Sequence, residues 1–183
     1  MQEARLALVG VLAAAVFGCC VAADALVTYR DEALRYEVKY PAAWRVLPKN
    51  KGFQIASYPA SEAPKGGFPP HGGALIMVHS PPQRTQRERA LAMTLRGWID
   101  YELAWAEREG ENPSVRHLRV EAGCTETRTT PEIGPNVREE NLACYFESGG
   151  RLFAMALAYW PEDPKAAEYR KVYEDVIRSF RNW

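Results

Sequence analysis

Little in this chain is in excess, and most of the usual chemical signatures are missing. The 183 residues carry 23 basic and 23 acidic side chains, so the formal net charge is zero. A basic stripe or excess, the footprint of nucleic-acid binding, is absent, and a polyanionic partner is not expected. Histidine occurs only as His71, His79 and His117, with no HxH or HExxH spacing. There is no GxSxG elbow, no phosphate-binding loop and no GxGxxG fingerprint. Four cysteines form no CxxC pair, so neither a zinc site nor a redox dithiol is indicated. No cofactor or metal is expected from these residues. After residue 23, no apolar run is long enough to span a bilayer. Internal repeats and low-complexity tracts are also missing.

What is present begins with an export pattern. Leu6–Gly18 reads LALVGVLAAAVFG without a charge, and Val21-Ala22-Ala23 supplies small residues at its end. An apolar stretch of about 7–15 residues followed by small residues is a signal peptide pattern. Cleavage is placed after Ala23, giving residues 1–23 as leader and 24–183 as one globular domain. The basic start is slight, because Glu3 offsets Arg5. Two alternatives stand beside this reading. Val16-Phe17-Gly18-Cys19 resembles a lipoprotein box that would lipidate Cys19, and an uncleaved Leu6–Ala23 would be a short membrane anchor. The expected location is periplasmic or secreted, with a lipid-anchored form as the alternative.

The remaining 160 residues can bury roughly 70% of their unfolded surface, enough for a core. They are 47% apolar and 25% charged over the whole chain, which excludes a disordered composition. Leu26–Arg30, Leu34–Tyr40, Trp44–Leu47 and Phe53–Tyr58 read as strands. Ala74–His79 and Leu152–Trp160 are nearly continuous apolar runs, as in strands covered on both faces. Two helices follow from periodicity. The first, Glu88–Glu109, gathers Leu91, Leu95, Trp98, Ile99, Trp105 and Ala106 on one face, with Glu102 in the middle of it. The second runs from about 164 to 181. It is opened by Asp163-Pro164 and striped by Tyr169, Val172, Tyr173, Val176, Ile177 and Phe180. Strands, helix, strands, helix predicts an α+β domain with a mostly antiparallel sheet.

Cys124 and Cys144 lie in β-rich stretches, 115–128 and 137–147, around the turn-like segment 130–136. A hairpin centred on Gly134 sets Cys124 opposite Cys144 and Arg128 opposite Glu140. A directly opposed pair is close enough for a disulfide, and an oxidising compartment permits one. The alternatives are two buried thiols or a reactive thiol, for which no activating neighbour is seen in the sequence.

Candidate functional residues are few. The Gly/Pro-rich stretch 59–73 holds Glu62 and His71, and His79 ends the following strand. Together these three would be the ligands of a metal-dependent enzyme or small hydrolase using that loop. The blander reading is a surface connection with solvated histidines. Glu102 on an apolar helix face is a perturbed carboxylate, or one that merely bonds a neighbouring side chain. Trp105 and Trp183 are the tryptophans most exposed by position, and an exposed Trp marks a ligand or partner surface.

Tyr36-Glu-Val-Lys-Tyr-Pro-Ala-Ala-Trp44 resembles the opening strand and YP..W turn of the PsbP-like and Mog-like superfamily. Tyr173-Glu-Asp-Val-Ile-Arg-Ser-Phe180 is similar to its closing helix. The resemblance spans residues 24–183. It implies an α/β/α sandwich around an antiparallel sheet, and a binding or assembly factor rather than an enzyme. It carries no functional residue onto this chain. The resulting expectation is an exported non-catalytic binding or accessory protein of the cell envelope, meeting an unidentified protein partner.

Overall fold

The structure, a computed structural model, describes residues 25–47, 53–63, 68–79, 94–111, 113–117 and 124–183. The alternating Leu26–Asp31 (β1) and Tyr36–Pro41 (β2) form a hairpin, closed into a three-stranded sheet by Arg181–Asn182 (β12). Pro41 ends β2 and folds the chain so that the Trp44 N–H donates to its carbonyl at 2.9 Å, burying the indole. Arg45–Leu47 (β3), Phe53–Ala56 (β4), Ala74–His79 (β5), Ser114–His117 (β6), Thr125–Thr129 (β7), Glu140–Ser148 (β10) and Arg151–Tyr159 (β11) build a seven-stranded antiparallel sheet. Its order is β3-β4-β5-β11-β10-β7-β6. Glu132–Gly134 (β8) and Val137–Arg138 (β9) make a separate small hairpin.

Two helices cover opposite faces of the large sheet, as expected. Leu95–Arg108 (α1) places Trp98 and Ile99 on Tyr145 and Ala154. Ala166–Ser179 (α2) places Tyr169, Tyr173, Val176 and Ile177 on Cys144, Phe146, Phe153, Met155 and Leu157. Because strand side chains alternate, β10 offers Cys144 and Phe146 to α2 and Tyr145 to α1. Both apolar runs therefore lie inside, with β11 at the centre of the sheet and β5 next to it. Each large side chain buried there contributes about 1.5–3 kcal/mol of apolar transfer.

The structure corrects three expectations. First, α1 begins at Leu95 rather than at residue 88. Thr94 is extended and caps the helix, accepting the Gly97 N–H at 3.0 Å. Residues 88–93 lie outside the described ones. Second, α2 begins regular hydrogen bonding at Ala166. Asp163 still caps the turn before it, accepting the Lys165 N–H at 2.8 Å. Third, the hairpin is centred one residue later than expected. The small β8–β9 hairpin turns at Pro135-Asn136, with Asn136 at φ 60, a left-handed backbone that Asn tolerates. Moving the centre by one residue moves the register by two, so Cys144 faces Glu126 and Leu142 faces Arg128. A two-residue slip keeps every side chain on its original face. Cys124 therefore still meets Cys144 diagonally, in a disulfide with a Cα separation of 5.5 Å. Arg128 likewise reaches Glu140 diagonally. Within the β-rich 115–128 stretch the described residues form β6 and β7, which pair antiparallel.

Candidate functional site

Glu139 and Glu140 lead into β10, and both are buried, at 1% and 0% relative exposure. Alternation sends them to opposite sides. The Glu140 carboxylate is gripped by Arg128 from β7, Arg170 from α2 and the Tyr159 hydroxyl from β11. The Arg170 Nε also donates to the Tyr159 oxygen at 2.5 Å. Two guanidiniums and a phenol thus satisfy one buried anion and tie α2 to the sheet. Beside this knot runs a cleft of about 170 Å³, lined among others by Glu126, Arg128, Arg170 and Tyr173. Its cations are committed to Glu140, so it leaves little free charge to recruit a ligand.

Glu139 differs. Neither of its carboxylate oxygens has a hydrogen-bond partner among the described residues. Burial pushes its pKa up to about 8, and the Glu111 charge adds to the rise. The Asn141 side chain opposes it without reaching hydrogen-bond geometry. Glu111, beyond the end of α1, is itself raised by burial, helped by Glu109 and Glu102 and opposed by Thr129. These carboxyls form an acidic fringe on the α1 side of the sheet.

The residues singled out in the sequence do not assemble into a centre. Glu62 is exposed in a short 3₁₀ turn, Ala60–Glu62. His71 stacks on Trp160, ring centroids 3.9 Å apart and 20° from parallel. The Trp160 indole N–H donates to Pro69 O at 2.9 Å, and the Tyr169 hydroxyl to Gly72 O at 2.8 Å. The described end of the 59–73 loop is thereby pinned onto the domain. His71 sits just before β5 and His79 is its last residue. The strand alone separates its two ends by roughly 17 Å, far beyond any metal–ligand bond. Glu102 is half-buried and accepts the Trp98 indole N–H from one turn earlier at 3.0 Å. Cys19 lies outside the described residues.

The five tryptophans divide by exposure. Trp44, Trp98 and Trp160 are buried, whereas Trp105 and Trp183 are 43% and 42% exposed. Trp105 on α1 and Val115 on the outer strand β6 lie on the same side of the sheet, and Val115 is also exposed. Sequence reasoning paired Glu140 with Arg128 but missed that Glu139 and Glu140 are both buried, and that Arg170 and Tyr159 join Glu140. The signal for that burial was two consecutive acids at the opening of a strand in which Leu142, Cys144 and Phe146 alternate on one face.

Comparison with known proteins supports the architecture. No family model and no curated protein sequence matches the chain. The solution structure of cyanobacterial PsbP (CyanoP) from Synechocystis is similar, at 17% identity and a TM-score of 0.50. That match covers 91% of this chain and 99% of the other. The Ran-binding protein Mog1p of Saccharomyces cerevisiae matches at 8% identity and TM-score 0.49, covering 86% of this chain and 95% of its own. LpqN of Mycobacterium tuberculosis, involved in cell envelope biogenesis, matches at 11% and 0.47, covering 85% and 89%. The chain has the PsbP-like fold: two helices against a large antiparallel sheet.

Proposed function

We propose that this chain is an exported, non-catalytic binding or accessory protein of the cell envelope, periplasmic or secreted, or anchored there through Cys19. A leader of residues 1–23 and a 24–183 domain are part of that reading. Export is supported by the Cys124–Cys144 disulfide, which persists in oxidising compartments. Among the described residues no helix is long and apolar enough to cross a membrane.

Binding rather than catalysis is carried by one observation. Among the described residues Glu62 is exposed, His71 stacks on Trp160 and Glu102 accepts from Trp98, while Trp105 and Val115 are both exposed. Beside them runs β6, the outer strand of the sheet among the described residues. A strand edge that no described residue pairs, with exposed apolar side chains nearby, is suited to a partner that adds a strand of its own. The 59–73 loop is the weaker candidate, because its described end is pinned.

A photo-crosslinking residue at position 105, compared with one at Lys171 on the far face, tests this in intact cells. The expected result is a discrete adduct at 105 only, on a processed chain whose Cys124 and Cys144 resist thiol labelling. A full-length product in the cytosol with both thiols free, or equal crosslinking from both positions, refutes the reading.

A further inference from the structure

Where the β1–β2 turn, the β10–β11 turn and β12 meet, a cleft of about 270 Å³ is lined by Leu34, Arg35, Arg151, Phe153, Asn182 and Trp183. Its size is below that of most drug-sized sites. Among the described residues every polar side chain lining it carries a donor, and none of the lining side chains is acidic. Arg151 donates to Leu34 O at 3.1 Å, which leaves most of its fork unused. Arg35 has no ion pair among the described residues. Ser148 Oγ donates to Asn182 Oδ1 at 2.8 Å, which fixes the amide and leaves its Nδ2 donors free. Arg30, held by Glu37, lies over the Trp183 ring at 4.7 Å and steadies that wall. Trp183 remains 42% exposed.

Arg35 provides an independent indication. It closes the β1–β2 turn at φ 57, a left-handed conformation that Gly or Asn adopts readily and a long cationic side chain does not. Its carbonyl accepts the Trp183 N–H at 3.3 Å, so the strained backbone is held by β12. Local strain kept at a position where glycine would be easier points to a use for the side chain.

We infer that this cleft binds a small oxyanion, a carboxylate or phosphate group, between Arg35, Arg151 and Asn182, with any apolar body resting on Leu34 and Trp183. Guanidinium forks match both anions bidentately. The site goes beyond partner binding at β6, and either can hold without the other.

The test is a titration of the mature domain with inorganic phosphate, succinate and benzoate, with benzamide as neutral control. The readout is the Trp183 indole resonance, assigned with Trp183→Phe. At least one anion should shift that resonance with a millimolar or tighter Kd, and binding should weaken as salt rises. The tighter of phosphate and succinate identifies the group. Arg35→Gly and Arg151→Gln should each weaken binding about tenfold. Arg35→Gly should do so with a Tm at or above the parent's, which separates lost binding from lost folding. No anion response up to about 50 mM, an equal response to benzamide, or full affinity in both variants overturns the site. A failed crosslink at position 105 leaves this titration unaffected.

Discussion

Glu139 and Glu140 differ by one position, and the fold treats their carboxylates in opposite ways. Glu140 is an anion with three partners, so removing its charge leaves two guanidiniums and a phenol without their acceptor. Glu140→Gln is expected to cost about 2–3 kcal/mol in urea unfolding, less than a fully buried pair because both arginines are about half exposed. Arg170→Lys should recover only part of an Arg170→Ala loss, since one ammonium cannot span both Glu140 and Tyr159. Glu139 is the reverse case. Its pKa rises from 4.5 to about 8 on folding, so the folded state holds a proton that the unfolded chain releases. Stability therefore falls as pH climbs from about 4.5 to about 8, and then levels off. Glu139→Gln removes that loss. The variant should match the parent near the acid end of this window and exceed it by roughly a few kcal/mol at the alkaline end. A pH-independent difference between the two proteins would refute the assignment. Tyr58 is raised by burial and by the Glu139 charge, so its own ionisation, followed by ultraviolet absorbance, should move to lower pH in Glu139→Gln.

At the scale of elements, the β10–β11 hairpin turns on two glycines with different constraints. Gly149 and Gly150 have φ 58 and φ 72. A Cβ on Gly150 would meet nothing within 4 Å, whereas one on Gly149 would come within 2.2 Å of Asn182 Nδ2. Gly150→Ala should cost about 1 kcal/mol, the price of a left-handed backbone alone. Gly149→Ala should cost more, because Asn182 must leave Ser148 and β12 must shift. Equal losses in thermal unfolding would contradict the close approach. The disulfide joins residues 20 apart in sequence, at the start of β7 and in the middle of β10. Cys124→Ala/Cys144→Ala is expected to lose about 3 kcal/mol, measured against the oxidised parent. Reduction of the parent should reproduce most of that loss.

On the whole-molecule scale, α2 couples the two larger sheets. Tyr36 of the small sheet stacks on Phe180 and meets Phe153 of the large sheet edge-on. Ser179 Oγ bonds both the N–H and the carbonyl of Lys39 in β2, at 2.8 and 3.2 Å. Neither sheet can open without uncovering the face shared with α2. Far-UV dichroism and tryptophan fluorescence should therefore report one coincident transition. Separate midpoints would mean that the β1–β2–β12 layer unfolds alone. Much of this architecture was legible in the residues. The α2 stripe, the apolar runs of β5 and β11 and the buried Trp44 follow from periodicity, because burial repeats with the pitch of the element that carries it. The disulfide was legible too, even from a register two residues off, because such a slip preserves the face. The start of α1 was not, because an apolar stripe continues past a Thr that can cap the helix and end it. Nor was the arrival of Arg170 and Tyr159 at the Arg128–Glu140 pair, or the meeting of Arg35, Arg151 and Trp183. Those groups come from segments far apart in the chain, and local periodicity carries no information about which distant side chains share a space. The sequence by itself determined the elements, their buried faces and the cysteine pair. Tertiary packing alone decided that Arg170 and Tyr159 would join Arg128 on Glu140, and which charges were left facing an open cleft, because distant segments meet only on folding.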